Sequence, residues 1–360
     1  MTESDGLATR MARSSEVEES TVDVVSESYI REQLEKRREQ LNTAVTSPEA
    51  AAPAAALTHL LGEVDSALQR LNAGTFGICV ECHESVEKDR LLSDPLVTLC
   101  LDHLSNDEQR ALERDLELAA KVQRGLLPQA DLRHGEWSVH YQYKPAGMVS
   151  GDYCDLIPPA NGAGELVFLL GDVAGKGVAA SLLMTHLHAM FRSLAGVGLP
   201  LDKLLETANS VFCRSTIAGQ YATLVCGRAR KEGEIEIGSA GHLAALVIGK
   251  DGVRQVSSTG VPLGMFATSQ YAIQCVCLER GDSLLLYTDG ISEAVDGSGA
   301  EYGIERLANI ASKWHGRAPR ELAASCMSDV QAYSKGLKQF DDQTLMVIHR
   351  SPSSEVQLAR

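Results

Sequence analysis

The sequence predicts an α+β protein: a strand-rich domain over residues 128–350, preceded by helices and a small metal-binding module. Three observations carry this. From Trp137 onward short apolar strings (WSVHYQY, ELVFLL, YATLVCGRA, AALVIG, YAIQCVCL, DSLLLYT, TLMVIH) follow one another, several directly through glycine turns such as KEGEI and GKDGV, which signals antiparallel pairing. Ahead of them, two strings carry apolar residues at helical spacing. Between these regions lie two residue pairs, each with a two-residue gap, built from cysteine and histidine.

Composition sets the bounds. The chain has 360 residues, enough for two or more domains and a large core. Apolar residues at 44% and charged residues at 22% exclude collagen-like, wholly disordered and disulfide-miniprotein classes. With 33 Lys and Arg against 48 Asp and Glu, the net charge of −15 argues against broad binding to nucleic acid or an anionic membrane. No apolar run reaches the roughly 18 residues that span a bilayer, and MTESDGLATRMARSSEVEES lacks an apolar signal core, so a cytoplasmic protein is expected. Nine cysteines, three of them in one short window, favour reduced thiols and a metal site over a disulfide framework.

In chain order, residues 1–28 are rich in Ser, Glu and Asp without periodicity and read as a disordered tail. Residues 29–45 (YIREQLEKRREQLNTAV) are strong helix formers, and residues 54–71 carry a stripe through Leu57, Leu60, Leu61, Val64, Leu68 and Leu71. The short connector between them predicts an antiparallel helical hairpin over 29–76. In the following window, 77–104, Cys79 and Cys82 are separated by seventeen residues from Cys100 and His103. Two such knuckles present four ligands tetrahedrally to one zinc ion, a closed structural site. His83 sits too close to Cys82 to ligate without strain and reads as a turn residue. A linker helix over 105–127 ends before Pro128, which cannot continue it. Its Leu112, Leu116, Ala119, Val122 and Leu126 have coiled-coil spacing, which fits a linker packed on the next domain and a homodimer seam equally. The remaining helices fall at 178–194, 201–215, 302–312 and 319–333, and residues 351–360 form a tail.

Four segments of the C-terminal domain place Asp at strand ends. Asp152 and Asp155 follow Gly151 in SGDYCD, Asp172 ends the strand of LLGDVAGKG, Asp289 ends that of LLLYTDG, and Asp341 and Asp342 open the strand of FDDQTLMVI. If the last strand runs antiparallel to the others, its start meets their ends and the carboxylates converge. Like charges so gathered need cations between them, and an all-oxygen set suits magnesium or manganese. Two such ions sharing a bridging hydroxide support in-line attack on a phosphoryl group. Rival chemistries fit poorly: GDVAGKG is too short for a Walker loop and has Gly177 where Ser or Thr would bind magnesium, and no GxSxG elbow occurs. Lys144 and Lys176 read as surface lysines, His186 and His188 as packed helix residues, and His242 as a hairpin-turn residue.

Two resemblances follow from these strings. ALQRLNAGTFGICVEC and RLLSDPLVTLC, with the preceding hairpin, resemble the DksA/TraR zinc-finger family over about residues 29–104. LELAAKVQRGLLP, SGDYCDLI, LLGDVAGKGVAASLLM, SAGHLAALVI, GVPLGM, LLLYTDGISEA and FDDQTLMVI together resemble the PPM metal-dependent protein phosphatases, SpoIIE/RsbU branch, over about residues 116–350. That resemblance implies a β-sandwich of two antiparallel sheets flanked by helices. It also implies a serine/threonine phosphoprotein phosphatase using two manganese or magnesium ions, with a phosphorylated anti-sigma factor antagonist as substrate. By the same resemblance Asp172 bridges both ions, the Val173 carbonyl and Asp152 serve the second, and Asp289 with Asp341 or Asp342 holds the first. An alternative of another class is a transcription-associated binding protein whose finger contacts RNA polymerase and whose phosphatase-like domain is a scaffold.

Overall fold

The computed structural model describes residues 20–46, 54–87, 90–91, 94–104, 106–159, 164–216 and 219–352, in two compact units, Met1–Glu113 and Arg114–Arg360. In the first, α1 (Ser20–Thr46) and α2 (Ala54–Asn72) run antiparallel. Arg31, midway along α1, donates to the Asn72 Oδ1 at 2.8 Å, and Arg38 pairs with Asp65 at 2.7 Å. Ile30, Leu34 and Leu41 pack with Val64, Ala67, Leu68 and Leu71 along the seam. The first helix begins at Ser20, inside the span expected to be a tail. Once nucleated, a helix extends cheaply because each added residue brings its own hydrogen bond. Residues 1–19 and 353–360, also expected as tails, lie outside the described residues. The finger has its own small core of Cys79, Val86, Leu91 and Cys100, ending in a 3-10 turn at Leu101–His103.

Helix α3 (Asn106–Leu126) covers the linker. Its heptad-spaced stripe is only partly covered. Leu116, Ala119 and Leu126 are half-buried, Leu112 and Val122 are exposed, and the buried positions are Ala120 and Gln123.

The second unit is a sandwich. One sheet has the order β1 (Asp131–His134), β2 (Trp137–Lys144), β11 (Gln343–Arg350), β10 (Ser283–Tyr287), β7 (Ala245–Gly249), β8 (Gly252–Val256). The other has the order β3 (Asp152–Ile157), β4 (Leu166–Val173), β5 (Ala222–Ala229), β6 (Glu234–Ala240), β9 (Ile273–Cys277). Every neighbouring pair is antiparallel. Alternation decides which side chains point where. On β4, Leu166, Phe168 and Leu170 fill the space between the sheets, together with Leu284, Leu286, Met346 and Ile348 of the opposite sheet. Val167 and Leu169 point outward against α4 (Gly177–Ala195) and α5 (Leu201–Ser215). Leu285, Leu345 and Val347 point outward against α7 (Ile304–Ser312) and α8 (Pro319–Ser334), and the single turn α6 (Asp289–Ser292) follows β10. Helices on both faces explain why these antiparallel strands read as continuous apolar runs.

Candidate active site and metal centres

The inward-facing rows of the sandwich change character at one end. Counting by twos along each strand, Leu166, Phe168 and Leu170 are followed by Asp172; Leu156 and Cys154 by Asp152; Leu284 and Leu286 by Thr288; Ile348 and Met346 by Thr344 and Asp342. Asp152 and Asp172 are direct cross-strand partners, and Thr288 N–H donates to the Thr344 carbonyl at 3.0 Å, so all four strands bring polar side chains to the same end. Asp289 and Asp341 are the next residues beyond these rows.

Each carboxylate is held differently. Asp152, 1% exposed, accepts at Oδ2 from the hydroxyls of Thr288 and Thr344. Asp342 spans the loop before β3, with Oδ1 accepting from the Ala146 N–H at 2.7 Å and Oδ2 from the Gly151 N–H at 2.9 Å. Asp341 instead pairs with Lys176 Nζ at 2.9 Å and accepts from the Asp342 N–H. The pair left undivided by sequence thus separates: Asp342 fastens a loop, while Asp341 stands with Asp172 and Asp289. A Cβ on Gly151 would lie 3.2 Å from the Val173 carbonyl oxygen and 3.4 Å from Asp172 Oδ1, so glycine there lets the loop close onto both. Gly290 serves likewise, since a Cβ would fall 2.1 Å from the Asp342 carbonyl oxygen.

The electrostatics fit cation binding. Burial, then Asp289, Asp341 and Asp342, raise Asp172 to about 7 despite Lys176. Burial and Asp172 raise Asp152 well above the carboxylate range, and burial and Asp341 raise Asp289. A set of carboxylates that resists its own ionisation and includes a reachable backbone carbonyl suits hard divalent ions. No three of these residues, among those described, bring ligand oxygens within 4.8 Å of one another. Magnesium and manganese tolerate that width because they keep several waters.

Three expectations change. Asp155 does not join the cluster: its residue parity turns it to the helical face, where it is fully buried and forms a bidentate pair with Arg192 at 2.6 and 2.8 Å. Lys176 is no idle surface lysine, since besides Asp341 it donates to the Phe340 carbonyl at 2.9 Å. His242 is buried rather than an open hairpin-turn residue. Its Nε2–H donates to the Tyr287 carbonyl at 3.1 Å, and Nδ1 accepts from Thr223, the cross-strand partner of Asp172, at 2.8 Å. Burial pushes it down to about 4, so it stays neutral and ties the two sheets together just behind the acidic end. Sequence reasoning also missed Thr288, Thr344 and Gln123. The Gln123 amide of α3 donates to the Ser150 carbonyl at 2.7 Å and accepts from the Ser150 N–H at 3.0 Å, beside Gly151 and Asp152.

In the first unit Cys79, Cys82, Cys100 and His103 bring their ligand atoms within 4.8 Å of one another. Burial pushes the Cys79 thiol up, but backbone N–H groups of Cys100, Cys82 and Glu81 hold it down to about 6. Cys100 lies 3.8 Å from Cys82 and 3.2 Å from His103 Nδ1. Three soft sulfurs and one imidazole at this spacing fit zinc.

Comparison with known proteins matches both modules to families. The family described as Stage II sporulation protein E (SpoIIE) matches residues 162–351, and the prokaryotic dksA/traR C4-type zinc finger matches residues 74–102. The second match ends one residue before His103, which stands as the fourth ligand candidate in place of cysteine. Protein IcfG of Synechocystis sp. is 24% identical over 271 residues, covering 66% of this chain and 42% of that protein. Phosphoserine phosphatase RsbU of Bacillus subtilis is 28% identical over 193 residues, covering 51% of this chain and 55% of that protein. The chain therefore spans about half the length of these curated relatives. Among solved structures, the SiaA-PP2C domain of Pseudomonas aeruginosa superposes with a TM-score of 0.59 at 18% identity, covering 67% of this chain and 98% of that one. It shares the two-sheet fold. No helix among the described residues is long and apolar enough to cross a membrane.

Proposed function

The chain belongs to the SpoIIE family, and on that premise we propose that it is a metal-dependent serine/threonine phosphoprotein phosphatase of the PPM type. The observation that carries the reading is the meeting of Asp152, Asp172, Asp289 and Asp341 at one end of the sandwich, from strands far apart in sequence. Asp172 would hold both ions, Asp289 and Asp341 the first, and the Val173 carbonyl beside Gly151 the second, which Asp152 would serve directly or through water. Manganese or magnesium, when bound, neutralises the carboxylates, lowers the pKa of water and polarises the phosphoryl group.

The protein's own part is positioning. Thr288 and Thr344 orient Asp152; Asp342 holds the loop that brings Gly151 against Val173; His242 keeps the ends of β5 and β10 in register. Lys176 offsets charge at Asp341. No Ser, Cys or His nucleophile is required, which accords with a site whose reactive side chains are all carboxylates.

The substrate is read as a phosphorylated anti-sigma factor antagonist. The likeness to RsbU, which is named a phosphoserine phosphatase, supports the phosphoserine part of this reading. The zinc finger is read as a docking or sensing module, with α3 carrying its state toward Ser150 through Gln123 or forming a homodimer seam. The enzyme is read as cytoplasmic. Manganese titration of the full chain with p-nitrophenyl phosphate and a phosphoserine peptide tests the core reading. Metal-stimulated hydrolysis that Asp172→Ala abolishes is the expected result. Inertness toward both at every manganese concentration would turn the reading to a scaffold whose finger binds the transcription machinery.

A further inference from the structure

Beside the carboxylates lies a cleft of about 560 Å³ whose walls include Lys144, Lys176, Lys338, Glu293, Leu337 and Phe340. Its far wall is the segment 335–340, which joins α8 to Asp341 without a break. Three hydrogen bonds fix this segment in place. The Gln339 amide donates to the carbonyls of Lys144 and Asp341, each at 2.8 Å, and the Phe340 carbonyl accepts from Lys176. With residues 339 and 340 so tied, the segment leaves Leu337 (44% exposed) and Phe340 (67% exposed) open to solvent, in a chain where aromatic residues make up only 5%. Lys176 is committed to Asp341, whereas Lys144 and Lys338 have no ion-pair partner among the described residues. Three lysines against Glu293 and Asp341 give this lining a positive balance in a chain of net charge −15.

A mixed lining of this kind selects by its two chemistries at once. Unpaired ammonium groups at a cleft mouth attract carboxylate or phosphate and disfavour a cationic side chain. An exposed aromatic and a leucine on a fixed backbone present apolar area that costs little order to engage. We propose that this cleft, bounded by Lys144, Lys338, Leu337 and Phe340, is where the protein reads the residues flanking the phosphoserine, and that its substrates carry an acidic and an apolar side chain beside the phosphorylated serine. The proposal rests on the phosphatase reading and adds its substrate class. Lys144 and Lys338 meet the acidic residue; Leu337 and Phe340 cover the apolar one. Because the segment ends at Asp341, a substrate seated on it is delivered to the carboxylates with no further element between.

The test uses the full-length protein with manganese and three phosphoserine peptides of equal length: one flanked by Glu and Leu, one by Arg and Leu, one by Gly and Ala. p-Nitrophenyl phosphate serves as an ester with no flanks. Anisotropy of fluorescently labelled peptides reports binding without turnover. The expected result is a kcat/KM about tenfold or more higher for the Glu/Leu peptide than for the Arg/Leu peptide, carried mainly by KM. Lys144→Ala with Lys338→Ala should erase the charge preference, and Leu337→Ala should lower affinity for both leucine-bearing peptides by about fivefold. Lys338→Arg should restore most of the preference. Equal kcat/KM and equal binding for the three peptides, or a preference that survives loss of both lysines, would overturn the proposal. Failure of every substrate including p-nitrophenyl phosphate would instead overturn the phosphatase reading, and the anisotropy series would then still decide the cleft. A graded affinity that the lysine variants abolish would support it, and a flat one would end it.

Discussion

The two candidate metal clusters of this protein are built on opposite plans. The finger draws Cys79, Cys82, Cys100 and His103 from one short stretch and closes them to within 4.8 Å. The acidic site draws Asp152, Asp172, Asp289 and Asp341 from β3, β4, the turn after β10 and the residues just before β11, and leaves them wider apart. A local, soft-donor cluster without a strong hydrophobic core suits a metal that creates structure. A long-range, oxygen-donor cluster on a sandwich that already holds itself suits metals that do chemistry. Structure around the first should therefore depend on its ion far more than structure around the second.

The comparison can be broken most severely by removing zinc. Cys79→Ser should cost the finger its fold, since structural zinc contributes on the order of 10 kcal/mol to such modules. Hydrogen exchange should show residues 77–104 opening while β3, β4, β10 and β11 keep their protection; loss of protection in those strands would refute the division. Next in size, Asp172→Asn should lower manganese-dependent turnover by about a thousandfold or more, with circular dichroism and the melting curve of the sandwich retained. A fall in stability as large as that from the zinc variant would make the two sites alike after all.

A subtler test uses pH. Asp172 is raised to about 7 in the folded protein, above its ordinary value of 3.8, so its proton favours the native state. That contribution is full below about pH 4 and is lost as pH rises through 7. In buffer lacking manganese and magnesium but keeping zinc, Tm should therefore fall by several degrees, roughly, from pH 5 to pH 8. Asp172→Asn should flatten that slope, and added manganese should reverse it; a slope unchanged by the substitution would remove Asp172 from the account. Smallest is the effect of Gln123→Ala, which frees Ser150 beside the Asp152 loop. Manganese activation should need about tenfold more ion, with turnover at saturation little changed. An unchanged activation curve would show that the α3 contact does not reach the site.

The plans also differ in how far sequence reveals them. The finger is legible because all four ligands lie within one window, and spacing alone specifies which residues can meet. The acidic site is legible only in part. Each Asp could be placed because it ends an apolar strand next to a glycine, and antiparallel order then brought the ends together. The supports of those carboxylates were not legible: Thr288, Thr344 and His242 look like ordinary strand and turn residues until two sheets are superimposed. Asp155 illustrates the same limit from the other side. Three residues from Asp152 on a strand, it must point to the opposite face, and period two rather than proximity decides its fate. Asp341 and Asp342, just ahead of β11, divide instead by their partners: Asp342 accepts from the Ala146 and Gly151 N–H groups, and Asp341 pairs with Lys176. The heptad-like spacing on α3 marks a stripe, but spacing does not say what covers it.

The inward rows that turn from leucine to carboxylate tie catalysis to durability. Leu170 and Leu286 lie one step along the same rows from Asp172 and Thr288, so the packing that resists melting also aims the acids. Loosening that shared scaffold, by heat or by trimming either leucine, should blur the aim before the chain unravels. Heat inactivation is thus expected a few degrees below the sandwich transition, with no separate event for the pocket.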